Sequence, residues 1–178
     1  MKAFKTVLVL ILVSSKLFAQ DSSWTKKAIN DILTLKLPAA YKHSDTTYLK
    51  SYSGYVANNF YGLQFYDTVI NKIENKKQLK TAINDFVSGR LADTTLKNYT
   101  SSVRDTTFGN TSGALIRLKS KEPVTFNSRI YYYVTIANNR FYLFYVYCEA
   151  AKGDDAVINS FFRSILFNKS KLPESRLR

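Results

Sequence analysis

The stretch RIYYYVTIANNRFYLFYVYCEA, residues 129 to 150, constrains the fold more than any other. It is aromatic and β-branched almost throughout, and it breaks only at Asn138-Asn139. Strand formers flanking two residues that tolerate positive φ read as a β-hairpin. With Asn138-Asn139 as the loop, one face collects Ile130/Tyr147, Tyr132/Tyr145, Val134/Leu143 and Ile136/Phe141. The other face collects Tyr131/Val146, Tyr133/Phe144 and Thr135/Tyr142. Both faces are apolar, unlike an antiparallel strand with one wet side. Each large side chain left in water would forfeit roughly 1.5–3 kcal/mol, so both faces need cover. Two readings of the stripe stand: a doubly covered central hairpin, or an aromatic surface partly open to a ligand. Tyrosine keeps the second in play, because buried phenol hydroxyls need a partner. Tyr131, Tyr133, Tyr142 and Tyr145 are its candidate ligand-binding residues.

The cover must come from elsewhere in the chain. NKKQLKTAINDFVSGRLAD repeats apolar residues every three to five positions (Leu79, Ala82/Ile83, Phe86, Leu91), as an amphipathic helix does. GDDAVINSFFRSILF offers Asp154 as N-cap and an apolar face of Val157, Ile158, Phe161, Phe162 and Ile165. These two helices are expected one on each side of the hairpin. SSWTKKAINDIL, with Ser23 as N-cap and Trp24, Ala28 and Ile32 at helical spacing, predicts a short N-terminal helix that supplements them. ILTLKLP reads as a strand ended by Pro38. SYSGYVANNFYGLQFYD reads as a first hairpin with Asn58-Asn59 in its loop, pairing Val56 with Tyr61 and Tyr52 with Phe65. Strands are expected at about 98–107 and 112–120, joined across FGNTSG. The sequence thus predicts an α+β domain, an antiparallel sheet sandwiched between helices.

Its opening segment, MKAFKTVLVLILVSSKLFAQ, has a basic start at Lys2 and Lys5. An apolar run from Val7 to Val13 follows, too short for a membrane span of about 20 residues. Ala19 stands before Gln20 as a cleavage site, so residues 1–19 read as a secretory signal and 20–178 as one domain with a basic C-terminal tail. This implies an exported protein, periplasmic or secreted, with no transmembrane segment after cleavage. The only cysteine, Cys148, cannot form an internal disulfide, and in the aromatic stripe it reads as a small buried hydrophobe.

The formal net charge is +13; removing Lys2, Lys5 and Lys16, with no acidic residue, leaves +10. Such an excess favours anionic surfaces at low salt. For an exported chain the available partners are an envelope protein or an anionic envelope component, not nucleic acid. Lys76, Lys77 and Lys80 cluster at the start of the central helix, against its dipole. They are candidate anion contacts, or simply a solvated face.

LKLPAAYK, the hairpin before the long helix, and FYLFYVYCEA running into INSFFRSI together resemble the PsbP-like superfamily over about residues 32 to 167. That group includes the extrinsic subunit of photosystem II, a small Ran-binding import protein and bacterial envelope proteins. The resemblance implies an antiparallel sheet between helices (α/β/α) and a binding or assembly role without catalysis.

The search for chemistry returns little. His43 is the only histidine, in the polar segment YKHSDTT, expected as a loop, with Asp45 nearby. No nucleotide-binding glycine motif, nucleophile elbow or HExxH is present, and no cofactor is expected. A non-enzyme follows, a binding or assembly module of the envelope; the alternative is a carrier of a small apolar or anionic ligand in a tyrosine-rimmed cleft. Asp-Thr-Thr recurs at 45–47, 93–95 and 105–107, with Asp-Thr-Val at 67–69. The repeat resembles an acceptor for O-glycosylation at Thr46, Thr68, Thr94 or Thr106; turn chemistry explains it equally, since Asp and Thr side chains bond local amides.

Overall fold

In the computed structural model the described residues are 23–66, 73, 75–122, 128–148 and 155–168. They form a predominantly antiparallel β-structure with two α-helices. Strands β1 (Trp24–Ala28), β2 (Leu33–Pro38), β3 (Lys42–Asp45), β4 (Leu49–Val56) and β5 (Asn59–Tyr66) precede helix α1 (Lys76–Leu91). A 3₁₀ turn at Thr94–Leu96 leads to β6 (Tyr99–Phe108), β7 (Thr111–Ser120), β8 (Arg129–Ala137) and β9 (Arg140–Cys148). Helix α2 (Asp155–Arg163) and the two-residue β10 (Leu166–Phe167) follow. A seven-stranded sheet runs β3-β4-β5-β9-β8-β7-β6, and a three-stranded sheet runs β1-β2-β10.

The aromatic stripe sits in the middle of the large sheet, with β5 beside β9 and β7 beside β8. Its register is the one the apolar pattern demands: Ile130 faces Tyr147, Tyr132 faces Tyr145, Val134 faces Leu143 and Ile136 faces Phe141. Asn138 and Asn139 hold φ of 50° and 55°, the left-handed pair that lets a two-residue turn follow the strand twist. One face of the stripe packs with α1 residues Ile83 and Val87. The opposite face packs with Leu33, Leu35 and Leu37 of β2, Phe161 and Phe162 of α2, and Phe167 of β10. On that side, therefore, strands as well as a helix provide the cover. Cys148 lies there, fully buried, and burial pushes its thiol up to about 11.

Three sequence expectations are corrected. Residues 24–28 are a strand, not a helix. Asn30 Oδ1 accepts from the Ile32 and Leu33 amides at 3.1 and 2.8 Å, which turns the chain tightly into β2. Trp24 anchors the strand edge-on against Tyr61, ring centroids 4.8 Å apart. A helix this short has little stability of its own, whereas pairing along β2 supplies a ladder at once.

The second correction is to the first hairpin, which turns at Ala57-Asn58, one residue early, so Tyr52 faces Leu63 and Gly54 faces Tyr61. Asn59 is drawn into β5 because its side chain is buried and its amide donates to the Tyr61 hydroxyl at 3.4 Å. Sliding a two-residue loop by one position moves partners by two, so the faces keep their identity. The third is His43, which lies on β3, not in a loop. The expected N-cap Asp154 of α2 lies outside the described residues, as do residues 1–19.

The β6–β7 turn closes at Gly109, whose φ is +57° and whose missing side chain admits the Ile165 carbonyl. The next residue, Asn110, reaches across to β10. Its amide donates to the Phe167 carbonyl at 2.5 Å and its oxygen accepts from the Phe167 N–H at 3.0 Å. The tip of the large sheet is thereby clamped to the edge of the small one.

Candidate functional site

The four tyrosines singled out from sequence do not converge. Tyr131, Tyr133 and Tyr142 belong to the face that meets β2 and α2, while Tyr145 belongs to the α1 face. All four are buried, and the hydroxyls of Tyr131, Tyr133 and Tyr142 have partners within the chain. Tyr131 donates to Asp155 at 3.2 Å, Tyr133 donates to the Thr111 carbonyl, and Tyr142 accepts from Asn30 at 3.3 Å. Burial raises all four phenols, Tyr133 to about 12.

A cavity of about 600 Å³ lies elsewhere, at the end of the sheet where the β6–β7 and β8–β9 turns emerge. A meander brings alternate turns to the same end, and α1 begins there too. Asn75 caps α1 by accepting from the Gln78 N–H at 2.9 Å. The Ile73 N–H donates to Asn139 Oδ1 at 3.2 Å, which ties the helix entry to the β8–β9 turn. The floor of the groove is apolar, built from Ile73, Leu79 and Ile83 on one side and Ile136 on the other. Its rim is polar: Lys76, Lys80, Asn84, Asp105, Thr106 and Asn110.

Two of the three candidate lysines, Lys76 and Lys80, thus stand together on this rim at i,i+4 spacing; Lys77 does not line it. Lys80 Nζ lies 3.2 Å from Asp105 Oδ2, with both side chains mostly exposed. Such an exposed pair is worth about 0–1 kcal/mol, so an incoming anion can displace it. The amides of the α1 first turn add positive potential at the same end. The arrangement can hold an apolar body against the floor and a negative group at the lysines.

His43 is remote from this groove. Its ring stacks on Tyr52, centroids 4.3 Å apart, and Asp45 pairs with Lys50 at 3.5 Å. The Asp-Thr-Thr copies differ in setting. Thr46 Oγ1 donates to the Leu49 carbonyl at 3.0 Å and accepts from its N–H at 3.1 Å. Asp93 caps the 3₁₀ turn and accepts from the Thr95 hydroxyl at 2.7 Å, beside exposed Thr94. Thr106 lies in β6 on the groove rim, and Thr68 is outside the described residues.

Sequence reasoning singled out two lysines that line this groove, and did not single out its floor or Asp105. The available signal was the meander itself, which places the Gly109-Asn110 and Asn138-Asn139 turns side by side. No helix among the described residues is long and apolar enough to cross a membrane, and none of their His, Cys, Asp or Glu side chains cluster in threes that could hold a metal ion. No protein-family model and no curated protein matches this sequence.

Proposed function

We propose that this chain is an exported, non-catalytic binding module of the cell envelope, and that the groove between α1 and the hairpin turns holds a small amphipathic anion. The observation that carries the reading is the pairing of an apolar floor with Lys76 and Lys80 in one cavity of about 600 Å³. Ligand sites typically span about 300–1,000 Å³ and combine apolar walls with a few placed polar groups. The non-catalytic reading is supported by His43 lying flat on Tyr52, away from the groove. A PsbP-like architecture is supported by the meander and by a helix on each side of the sheet, although β1-β2-β10 contributes to one cover.

Octanoate and a short alkyl phosphate serve as probes, titrated calorimetrically into wild type and Lys76→Ala/Lys80→Ala. Loss of about 1.4 kcal/mol, tenfold in Kd, is expected in the double variant. Failure of both probes to bind, or equal binding by the variant, overturns the reading.

A second reading, docking of an envelope protein, rests on Tyr55, Phe60 and Tyr66. On the α1 side of β4–β5 these rings remain partly or largely exposed. A complex of the purified protein with an envelope component that survives high salt, and is lost on Tyr55→Ser/Tyr66→Ser, supports it. Modification at Thr46, Thr68, Thr94 or Thr106 belongs to the same proposal of export. An intact mass from the native host equal to the bare chain from Gln20 disposes of it.

A further inference from the structure

The two edges of the large sheet are treated very differently. β3, at one end, is four residues long and carries Lys42, His43 and Asp45. Short, charged edge strands resist pairing with another chain. β6, at the other end, runs ten residues without proline, and its register with β7 continues unbroken from Tyr99 to Phe108. From Thr100 to Asp105 it is exposed on both faces, and no strand among the described residues lies on its outer side. It is a long edge whose only charges are the opposite pair Arg104 and Asp105.

Hairpin geometry fixes which of its amides point outward. Phe108 and Thr111 flank the two-residue turn and form a hydrogen-bonded pair, so Thr106, Arg104, Ser102 and Thr100 also bond β7. The N–H and C=O groups of Thr107, Asp105, Val103, Ser101 and Tyr99 therefore face away from the sheet. This outward set is symmetric about Val103, the most apolar residue of the exposed run, which is 45% exposed.

We infer that β6 pairs antiparallel with β6 of a second copy of this chain, with Val103 opposite Val103 on the two-fold axis. In this register Ser101 faces Asp105 of the other copy, and Ser102 faces Arg104. Each charge meets a serine. Moving the axis to Asp105 keeps the hydrogen-bond phase but sets Asp105 against Asp105, a like-charge pair. Moving it to Ser101 keeps the phase but shortens the overlap. An extended peptide from an unrelated partner gains specificity from pockets for alternate side chains. Thr100 to Arg104 present short or exposed side chains and do not line the groove, which favours its own copy. Asp105 and Thr107 also line the groove, so the second strand would extend the outer wall of that site. The inference stands independently of any ligand there.

Cysteine scanning in the full chain tests both pairing and register. Directly opposed, hydrogen-bonded residues have Cα atoms about 5.5 Å apart, within disulfide reach. Val103→Cys should therefore cross-link spontaneously to a dimer in air. Ser101 is offset from its own counterpart by four residues, about 14 Å along the strands, so Ser101→Cys should cross-link at least roughly 10-fold more slowly. Buried Cys148 stays out of the reaction. Proline at position 103 removes only an outward N–H and leaves the β7 ladder intact, so Val103→Pro should halve the mass seen by light scattering without changing the circular dichroism. Because two strongly basic chains repel, added salt should strengthen the dimer. A monomeric wild type at all attainable concentrations, equal cross-linking of the two cysteine variants, or a dimer unchanged by Val103→Pro overturns the inference.

Discussion

Replacing Asn110 by alanine isolates the clamp between the two sheets. Its side chain makes two hydrogen bonds to one residue, donating to the Phe167 carbonyl and accepting from the Phe167 N–H. Phe167 is 1% exposed, so water cannot readily replace either bond. Leaving a buried donor or acceptor unsatisfied costs about 1–3 kcal/mol, which puts the loss at roughly 2–4 kcal/mol once partial relaxation is allowed. At about 2–4 °C per kcal/mol for a domain of this size, Tm should fall by roughly 4–16 °C. Urea denaturation followed by circular dichroism measures the difference, with an unchanged m-value showing that the denatured state is unaltered.

Asn110→Asp sharpens the test. The carboxylate keeps the acceptor for the Phe167 N–H but loses the donor and sets a negative charge against the carbonyl. Its deficit should therefore shrink as the introduced carboxyl is protonated on acidification, whereas the alanine deficit should not. A loss below about 0.5 kcal/mol for Asn110→Ala, the level of an ordinary surface change, would refute the clamp.

Three further outcomes are expected. Ala57 holds φ of 47°, a left-handed conformation that costs a residue with a Cβ about 1–2 kcal/mol, so Ala57→Asn should stabilise by about 0.5–1 kcal/mol in the same denaturation assay. A Cβ at Gly62 would fall on the ring of Tyr145, so Gly62→Ala should cost about 1–3 kcal/mol; the additional change Tyr145→Leu should restore part of it if ring overlap is the cause. Burial raises the Tyr133 phenol from 10.0 to about 12, and Tyr131, Tyr142 and Tyr145 move the same way. The stability this reflects is complete below pH 10 and is lost as pH rises through the folded-state values. Tyrosinate absorbance at 295 nm should then rise together with loss of far-ultraviolet ellipticity, and ionisation of these tyrosines with the fold intact would count against it.

The central hairpin was legible because two independent signals agree: both arms are apolar on both faces, and Asn138-Asn139 suits a left-handed turn. The first hairpin offered a weaker version. Ala57 gives no hint that it will adopt positive φ, and Asn59 looks like a turn residue until its burial beside Tyr61 is seen. Trp24, Ala28 and Ile32 fit a helical stripe, yet Trp24 is held by a long-range contact that periodicity cannot carry. β10, two residues long, has no pattern of its own; it exists because β2 has a free side and Asn110 waits on the other. At the groove, Lys76 and Lys80 stood out as basic residues against a helix dipole. Its floor did not, since Ile83 and Ile136 lie on different elements and look like ordinary core residues until the topology joins them.

The small sheet also governs how this molecule comes into being. Its middle strand, β2, holds β1 on one side and β10 on the other, and Thr34 lies opposite Leu166. The Asn168 N–H donates to the Ile32 carbonyl at 2.7 Å. Segments more than 130 residues apart are neighbours, so the cover on one side of the aromatic hairpin stays incomplete until residue 167 has emerged. Closing so large a loop is entropically slow, and high contact order lowers folding rates. The packing on this side of the hairpin would accordingly be completed in one late, concerted step.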